Sequence, residues 1–300
     1  MQIGIVVTDP LDWTAQALLA SCSKKGMNPF FLNFSDLCAT VNGGQSFRCR
    51  DVNLLDLSAL IIRDLGRQGV ADVSFRFEAL LALQERGVAV INPPQAIARA
   101  ANKYATSRAL QDAGVATPRT LATTSQREAA RALHEFKKAV SKPLFGYKGR
   151  DIFLLEDGVE EDLARLQAVI ESEGMAYLQE FIPLERPRDI RAFVVAGELQ
   201  GAIYRIAPPG QWIANLARGG TAAPCPLSRE LGDLAVSAAR AVGAVYCGVD
   251  LLESADGLKV IEVNGTPSGK GIFQALGVDV TEAIAGHVHQ NCYLRGRHAH

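Results

Sequence analysis

Over the first ninety residues the apolar positions alternate between unbroken short runs and runs with one apolar residue every three or four. Residues 2–8 (QIGIVVT) form a continuous β-branched run, the pattern of a buried strand, and Trp13, Ala17, Leu18 and Cys22 then fall on one helical stripe that stops near Gly26. The strand pattern returns at 29–32, 57–64 and 88–91, with a helical stripe over 73–86 before the last of these. Residues between 32 and 57 read as a polar connection. Strands alternating with helices predict a small parallel α/β domain over residues 1–93. No G-x-G-x-x-G follows its first strand, which disfavours a dinucleotide site there. Asp9, Asp12, Arg63 and Asp64 fall at strand ends, where open α/β sheets place ligands, although charged residues at such positions are ordinarily just solvated.

A second unit is expected over 94–183. It opens with one helix over 95–112, whose apolar face is Ile97, Ala101, Tyr104 and Leu110 and which carries Asn102-Lys103. A strand at 118–123 precedes Ser125-x-x-Glu128, a capping box opening a helix with Ala129, Leu133 and Phe136. Residues 139–145 (AVSKPLF) read as a strand that buries Lys142 among apolar neighbours, and Gly146-Tyr147-Lys148-Gly149-Arg150 follows directly. Glycines let backbone N–H groups wrap an anion, and Lys142, Lys148 and Arg150 add positive charge, a combination suited to a flap over phosphates. A hairpin turn with solvated lysines is the alternative. A strand at 151–155, a helix at 159–172 and a strand at 177–182 complete the unit.

Residues 184–300 are expected to form a third unit of long antiparallel strands. The runs 189–195 and 200–206 flank a turn at Gly197-Glu198; Asp189 and Arg191 share a face, and Arg205 lies on the returning strand. A flexible stretch over 208–225 and a helix over 227–242 lead to a hairpin, GVDLLESADGLKVIEVN (248–264), and a last helix covers 281–294. Glu262 and Asn264 must point to one face of that hairpin. Asp250 joins them only if the register is offset, which predicts a three-residue loop or a bulge at 255–257. Two carboxylates and an amide carbonyl on one face would make a hard-oxygen site suited to the Mg²⁺ of a nucleotide, and a solvated acidic face is the plain alternative.

Bulk properties narrow the function. Lys+Arg 31 against Asp+Glu 32 gives a formal charge of −1, which argues against a nucleic-acid or acidic-membrane surface. The six cysteines are scattered without C-x-x-C or Cys/His spacing, and no segment approaches 18 consecutive apolar residues, so reduced thiols and a cytoplasmic location are expected.

The segments Asn102-Lys103, SKPLFGYKGRDI (141–152), LQEFI (178–182), DIRAFVV (189–195), AIYR (202–205), NLARGG (215–220), GVDLLE (248–253) and EVNGTPSGKGI (262–272) together resemble the ATP-grasp superfamily, and within it the RimK-like amino-acid ligases. The resemblance implies an α/β fold, α+β in its C-terminal part, in three domains with a nucleotide between the central and C-terminal ones. It implies ATP and two Mg²⁺ or Mn²⁺ ions as cofactors. Lys103 and Lys142 resemble the lysines that contact phosphates and base edge; Gly146, Lys148 and Gly149 resemble the mobile phosphate flap. Glu180, Phe181 and Ile182 match the hinge that meets adenine, Asp189 and Asn215 further nucleotide contacts, and Asp250, Glu262 and Asn264 the metal ligands. Arg191, Arg205 and Arg218 resemble arginines of the chemical centre. After Pro267, Ser268-Gly269-Lys270 departs from the glycine-led sequence of relatives in the 266–271 loop, which is expected to border the acceptor site.

The implied reaction joins an amino acid, expected to be L-glutamate, to a carboxylate through an acyl phosphate. The preferred acceptor is a small coenzyme of the pterin, furan or deazaflavin type. A protein C-terminus, an amino-group carrier protein, or a non-catalytic ATP-binding regulatory role are the alternatives. A homo-oligomer, dimer or tetramer, is expected, with no nucleic acid or membrane partner.

Overall fold

The opening apolar run becomes β1 (Gln2–Val6), an inner strand whose Ile3, Ile5 and Val6 are wholly buried. The computed structural model describes residues 1–42, 46–66, 69–146, 151–216 and 219–298, the last four by their backbone alone. After β1 come α1 (Trp13–Lys24), capped by the Asp12 carboxylate accepting from Ala15 N at 2.9 Å, and β2 (Asn28–Leu32). The polar connection is not structureless. It holds β3 (Leu37–Thr40), β4 (Ser46–Cys49) and β5 (Val52–Asn53), a small antiparallel sheet anchored by buried Phe47 and Cys49. Phe47 and Cys49 are buried and Leu37, Ala39 and Val52 pack only partly against the core, in strands of two to four residues too short to raise an alternating signal above their polar neighbours. β6 (Ala59–Ile62), α2 (Val70–Glu85) and β7 (Ala89–Ile91) close the first sheet, parallel throughout in the order β2-β1-β6-β7.

The single helix expected over 95–112 is two, α3 (Pro94–Ala101) and α4 (Lys103–Asp112). Asn102 between them is extended (φ −96°, ψ 107°), and its side chain caps α4 by accepting from Ala105 N at 3.0 Å. Local capping wins over apolar periodicity here, and the expected face changes accordingly: Ala101 and Tyr104 are exposed, while Lys103 is buried.

β8 (Thr120–Thr123), α5 (Gln126–Phe136), β9 (Lys138–Lys142), β10 (Phe153–Glu156), α6 (Glu160–Glu173) and β11 (Ala176–Glu180) build an antiparallel sheet in the order β10-β9-β11-β8. Ala139, Leu155 and Leu178 face the two helices. The opposite face, with Lys142, Tyr177 and Gln179 in register, looks away from them.

The last sheet runs β14-β13-β12-β15-β16, from β12 (Arg188–Val195), β13 (Glu198–Ile206), β14 (Thr221–Pro224), β15 (Tyr246–Ser254) and β16 (Gly257–Asn264). β14 lies within the stretch read as a flexible connection. One face packs on α7 (Arg229–Val242) through Ala192, Val194, Val249 and Val263. The other packs part of its length on α1, α8 (Lys270–Leu276) and α9 (Val280–His298), so the cores of the first and last sheets are continuous. Among the described residues no helix is long and apolar enough to cross a membrane.

Candidate active site

The hairpin of β15 and β16 sets the site. Asp250 stands opposite Glu262, as expected, and Gly248 opposite Asn264. The cause differs from the expectation. Ser254 pairs with Gly257, so the turn at Ala255-Asp256 is tight, and the odd residue is Ile261, bulged between Val260 opposite Leu251 and Glu262 opposite Asp250. Both flanks of the bulge are bound by the same core, Val260 below and Val263 above, so the extra residue is absorbed beside the site rather than at the tip.

Asp250 is buried, and two arginines converge on it. Arg191 from β12 reaches both its oxygens, with Nη2 2.9 Å from Oδ2, and Arg205 Nη2 donates to Oδ2 at 2.8 Å. Arg205 also grips Asp189 bidentately, Nε to Oδ1 at 2.6 Å and Nη2 to Oδ2 at 2.7 Å. Arg191 can lie across the sheet because position 248 is glycine: a Cβ there would come within 2.9 Å of Arg191 Cδ. The four charges sum to zero, but they are not shared equally. Burial pushes both acids towards the neutral form. Two arginines overcome it at Asp250, whose pKa falls below its ordinary value, whereas burial prevails over the single arginine at Asp189 and raises its pKa. Burial likewise opposes the charge of Arg205, and the two carboxylates outweigh it, so this guanidinium stays protonated.

The central sheet brings positive charge to the same place. Lys142 is buried on β9 and donates to Gln179 Oε1 at 2.7 Å. Burial lowers its pKa to about 8, with Glu262 opposing the shift and Lys103 adding to it. Lys103, presented by the break before α4, sits 3.5 Å from Glu262 Oε1, and its backbone N–H donates to Leu144 O at 3.1 Å. Gly146 covers this lysine so closely that a Cβ would approach its Nζ to 3.0 Å. Lys103, Lys142, Gly146, Asp250 and Glu262 thus meet from three segments. Lys148, Gly149 and Arg218 lie outside the described residues.

At the segment expected to be the hinge, the Glu180 carboxylate turns to Arg119, bidentate at 2.9 and 2.8 Å, and the N–H groups of Glu180 and Phe181 donate to Arg119 O and Lys138 O. Those two amides, expected to meet adenine, are therefore engaged in the sheet. Phe181, beside the well-buried Ile182, meets Trp212 edge-on at 6.3 Å, bridging the hinge to the segment that carries Asn215. Asn215 O accepts from Gly220 N at 3.4 Å.

The residues predicted as metal ligands offer two carboxylates and an amide oxygen on one face of one hairpin, a set matched in hardness to Mg²⁺ or Mn²⁺. Asp250 accepts three hydrogen bonds, one fewer than a carboxylate's usual capacity, and Asn264 Oδ1 accepts from Thr266 N at 2.9 Å while retaining a second lone pair. The donors fit the group.

Residues 100–288 match the RimK-like ATP-grasp domain. The chain belongs to the RimK-like ATP-grasp family. This RimK-like chain is 44% identical over 319 residues to tetrahydromethanopterin:alpha-L-glutamate ligase of Methanosarcina acetivorans, with 94% of this chain and 97% of that one covered. It is 36% identical over 288 residues to the protein of the same name from Methanocaldococcus jannaschii, covering 95% and 97%. Its fold resembles that of the ATP-grasp ligase PsnB complexed with a phosphomimetic variant of minimal precursor, Mg and ADP, at a TM-score of 0.75 and 22% identity, over 97% of this chain and 98% of that one. The RimK-like chain is an ATP-dependent ligase, and ligases of this superfamily use ATP with a divalent metal ion.

Sequence reasoning did not find Gln179, Gly248 or Asn92. Gln179 could have been read from its alternation with Glu180 on a strand beside Lys142. Asn92 is wholly buried and spans 2.7 Å to Tyr246 O and 2.6 Å to Gly265 O, and nothing in an Asn-Pro-Pro turn announces such partners.

Proposed function

We propose that this ligase joins L-glutamate to a carboxylate of a pterin coenzyme, tetrahydromethanopterin or a close analogue, at the expense of ATP. The acceptor assignment is carried by one observation: the relatives named for that reaction match across almost the whole chain, first domain included, and not over the nucleotide-binding part alone.

In the first step an oxygen of the acceptor carboxylate attacks the γ-phosphorus of ATP and ADP leaves, giving an acyl phosphate. In the second the amine of glutamate attacks the acyl carbon, phosphate leaves, and the amine proton passes to solvent. Neither step needs a protein nucleophile; positioning and charge carry the rate. Lys103, from the start of α4, and Lys142, from the central sheet, hold the phosphates, with Gly146 closing over Lys103. Asp250, Glu262 and Asn264 would hold one or two Mg²⁺ or Mn²⁺ ions, which would supply positive charge to the phosphate oxygens. Arg191, whose side chain is 16% exposed, faces the reacting groups, while Arg205 is occupied by two acids and holds Asp250 in place. The 266–271 loop borders the acceptor carboxylate.

The test is a mass measurement. Protein, Mg²⁺, ATP, L-glutamate and tetrahydromethanopterin should yield acceptor heavier by one glutamyl residue, with phosphate release that needs both substrates. Transfer of a different amino acid, or phosphate release without a glutamylated product, would refute the reading.

A further inference from the structure

The C-terminal edge of the first sheet is where an open α/β sheet ordinarily receives a ligand, above all between β1 and β6, where the order β2-β1-β6-β7 changes direction. Here that crevice receives a piece of the same chain. Arg63, the residue after β6, donates from Nη1 to Thr266 O at 2.8 Å, and its other edge is locked on Asp12, Nε to Oδ1 at 2.9 Å and Nη2 to Oδ2 at 3.2 Å. Asn92, the residue after β7, donates to Gly265 O at 2.6 Å, and its Oδ1 accepts from Val245 N and Tyr246 N at 2.7 and 2.9 Å. Thr14, opening α1, accepts from Gly269 N and lies against Ser268 Oγ, both at 3.2 Å.

Two neighbouring strand ends and the first turn of α1 therefore hold successive points, Gly265, Thr266 and Ser268-Gly269, of the backbone that follows Asn264. We infer that the first sheet is a template for the 264–269 segment of the ligase, and that Arg63 is the positioning residue that sets the acceptor side of the site through the Thr266 carbonyl. The geometry divides the work. Asn92 grips the residue next to Asn264, on the metal side, whereas Arg63 and Thr14 grip the loop beyond it. The Arg63 guanidinium is prepared for this by Asp12, whose carboxylate fixes the plane of the fork while also capping α1. A lysine could not hold both partners in one plane. The inference rests on the proposed reading of 266–271 as the acceptor border.

The experiment compares wild type with Arg63→Gln, Arg63→Lys and Thr14→Val by two readouts. The first is hydrogen exchange of the 264–271 amides in the free protein, which needs no substrate. The second is the KM for tetrahydromethanopterin against the KM for ATP, with ADP affinity in Mg²⁺ measured beside them. Arg63→Gln should speed exchange across 264–271 at least tenfold and raise the acceptor KM about tenfold, leaving the ATP KM and ADP affinity within twofold. Thr14→Val should do the same to a smaller extent, and Arg63→Lys should recover only part of the loss. Unchanged exchange would overturn the inference. So would parallel rises in both KM values, the mark of a general structural role. Wild type that releases phosphate but never glutamylates the pterin would instead sink the acceptor reading, with the positioning of the loop then decided by exchange alone.

Discussion

Two ends of one sheet face show how differently the same strands can be used. At one end of β12 and β13, Phe193, Val195 and Ile203 are wholly buried against the helices and β1. At the other end, in the same alternation, stand Asp189, Arg191 and Arg205 with Asp250 beside them. Backbone pairing is continuous through both. The apolar end gains from burial whatever its partner's exact position, because the hydrophobic effect is non-directional. The charged end is tolerable only while every acid meets an arginine, since desolvation of one unpaired charge costs more than a pair returns. Stability thus resides in the first end, and the second exists for what faces it, Lys103, Lys142 and the carboxylates of the hairpin.

The contrast can be broken most sharply at Asp250. Asp250→Asn should lower steady-state phosphate release by at least about 10³-fold, roughly 4 kcal/mol in the barrier, and turnover within tenfold of wild type would remove it from the site. Next, Arg205→Met leaves two buried carboxylates sharing one arginine, and urea unfolding should show a loss of about 3–5 kcal/mol. Phe193→Ala should cost a comparable or slightly smaller amount, about 3–4 kcal/mol, yet keep turnover per folded molecule, which is the reverse of the Asp250 result. The smallest effect is expected at Lys142. Lys142→Met should weaken ADP binding by about 1.5–2 kcal/mol, read by calorimetry. Burial lowers the Lys142 pKa to about 8, so the cation proposed to bind phosphate is lost as pH rises through that value. Wild-type ADP affinity should therefore fall above about pH 8, and an unchanged inflection in the Met variant would assign it elsewhere.

Much of this was legible beforehand, for physical reasons. Strand alternation put Glu262 and Asn264 on one face, and an offset register was the condition for Asp250 to join them, although the offset comes from a bulge at Ile261 and not from the turn. The buried Lys142 followed from its apolar neighbours. Part of what escaped depends on partners distant in the chain. Arg63 and Asp12 read as solvated strand-end charges, but the loop that makes them a fork lies two hundred residues later. The break at Asn102 was hidden because capping is local and the apolar stripe runs through it. Small β-strands at 37–53 left almost no periodic trace.

The bulge at Ile261 has a genetic consequence. A single-codon deletion at the hairpin tip shortens a turn whose Asp256 side chain is 84% exposed, and the pairing below it can stay as it is. Losing the codon for Ile261 would remove only the odd residue: Val260 and Glu262 then follow one another in regular alternation, so Glu262 and Asn264 keep their face and Val263 stays in the α7 core, whereas losing Val263 would draw Glu262 into that core and put Ile261 opposite Asp250. A deletion scan across 257–263, scored by growth or by ligation, should therefore tolerate loss at the tip and at Ile261 and fail at Glu262 and Val263, and that edge would mark where reading frame in the gene becomes facing in the sheet.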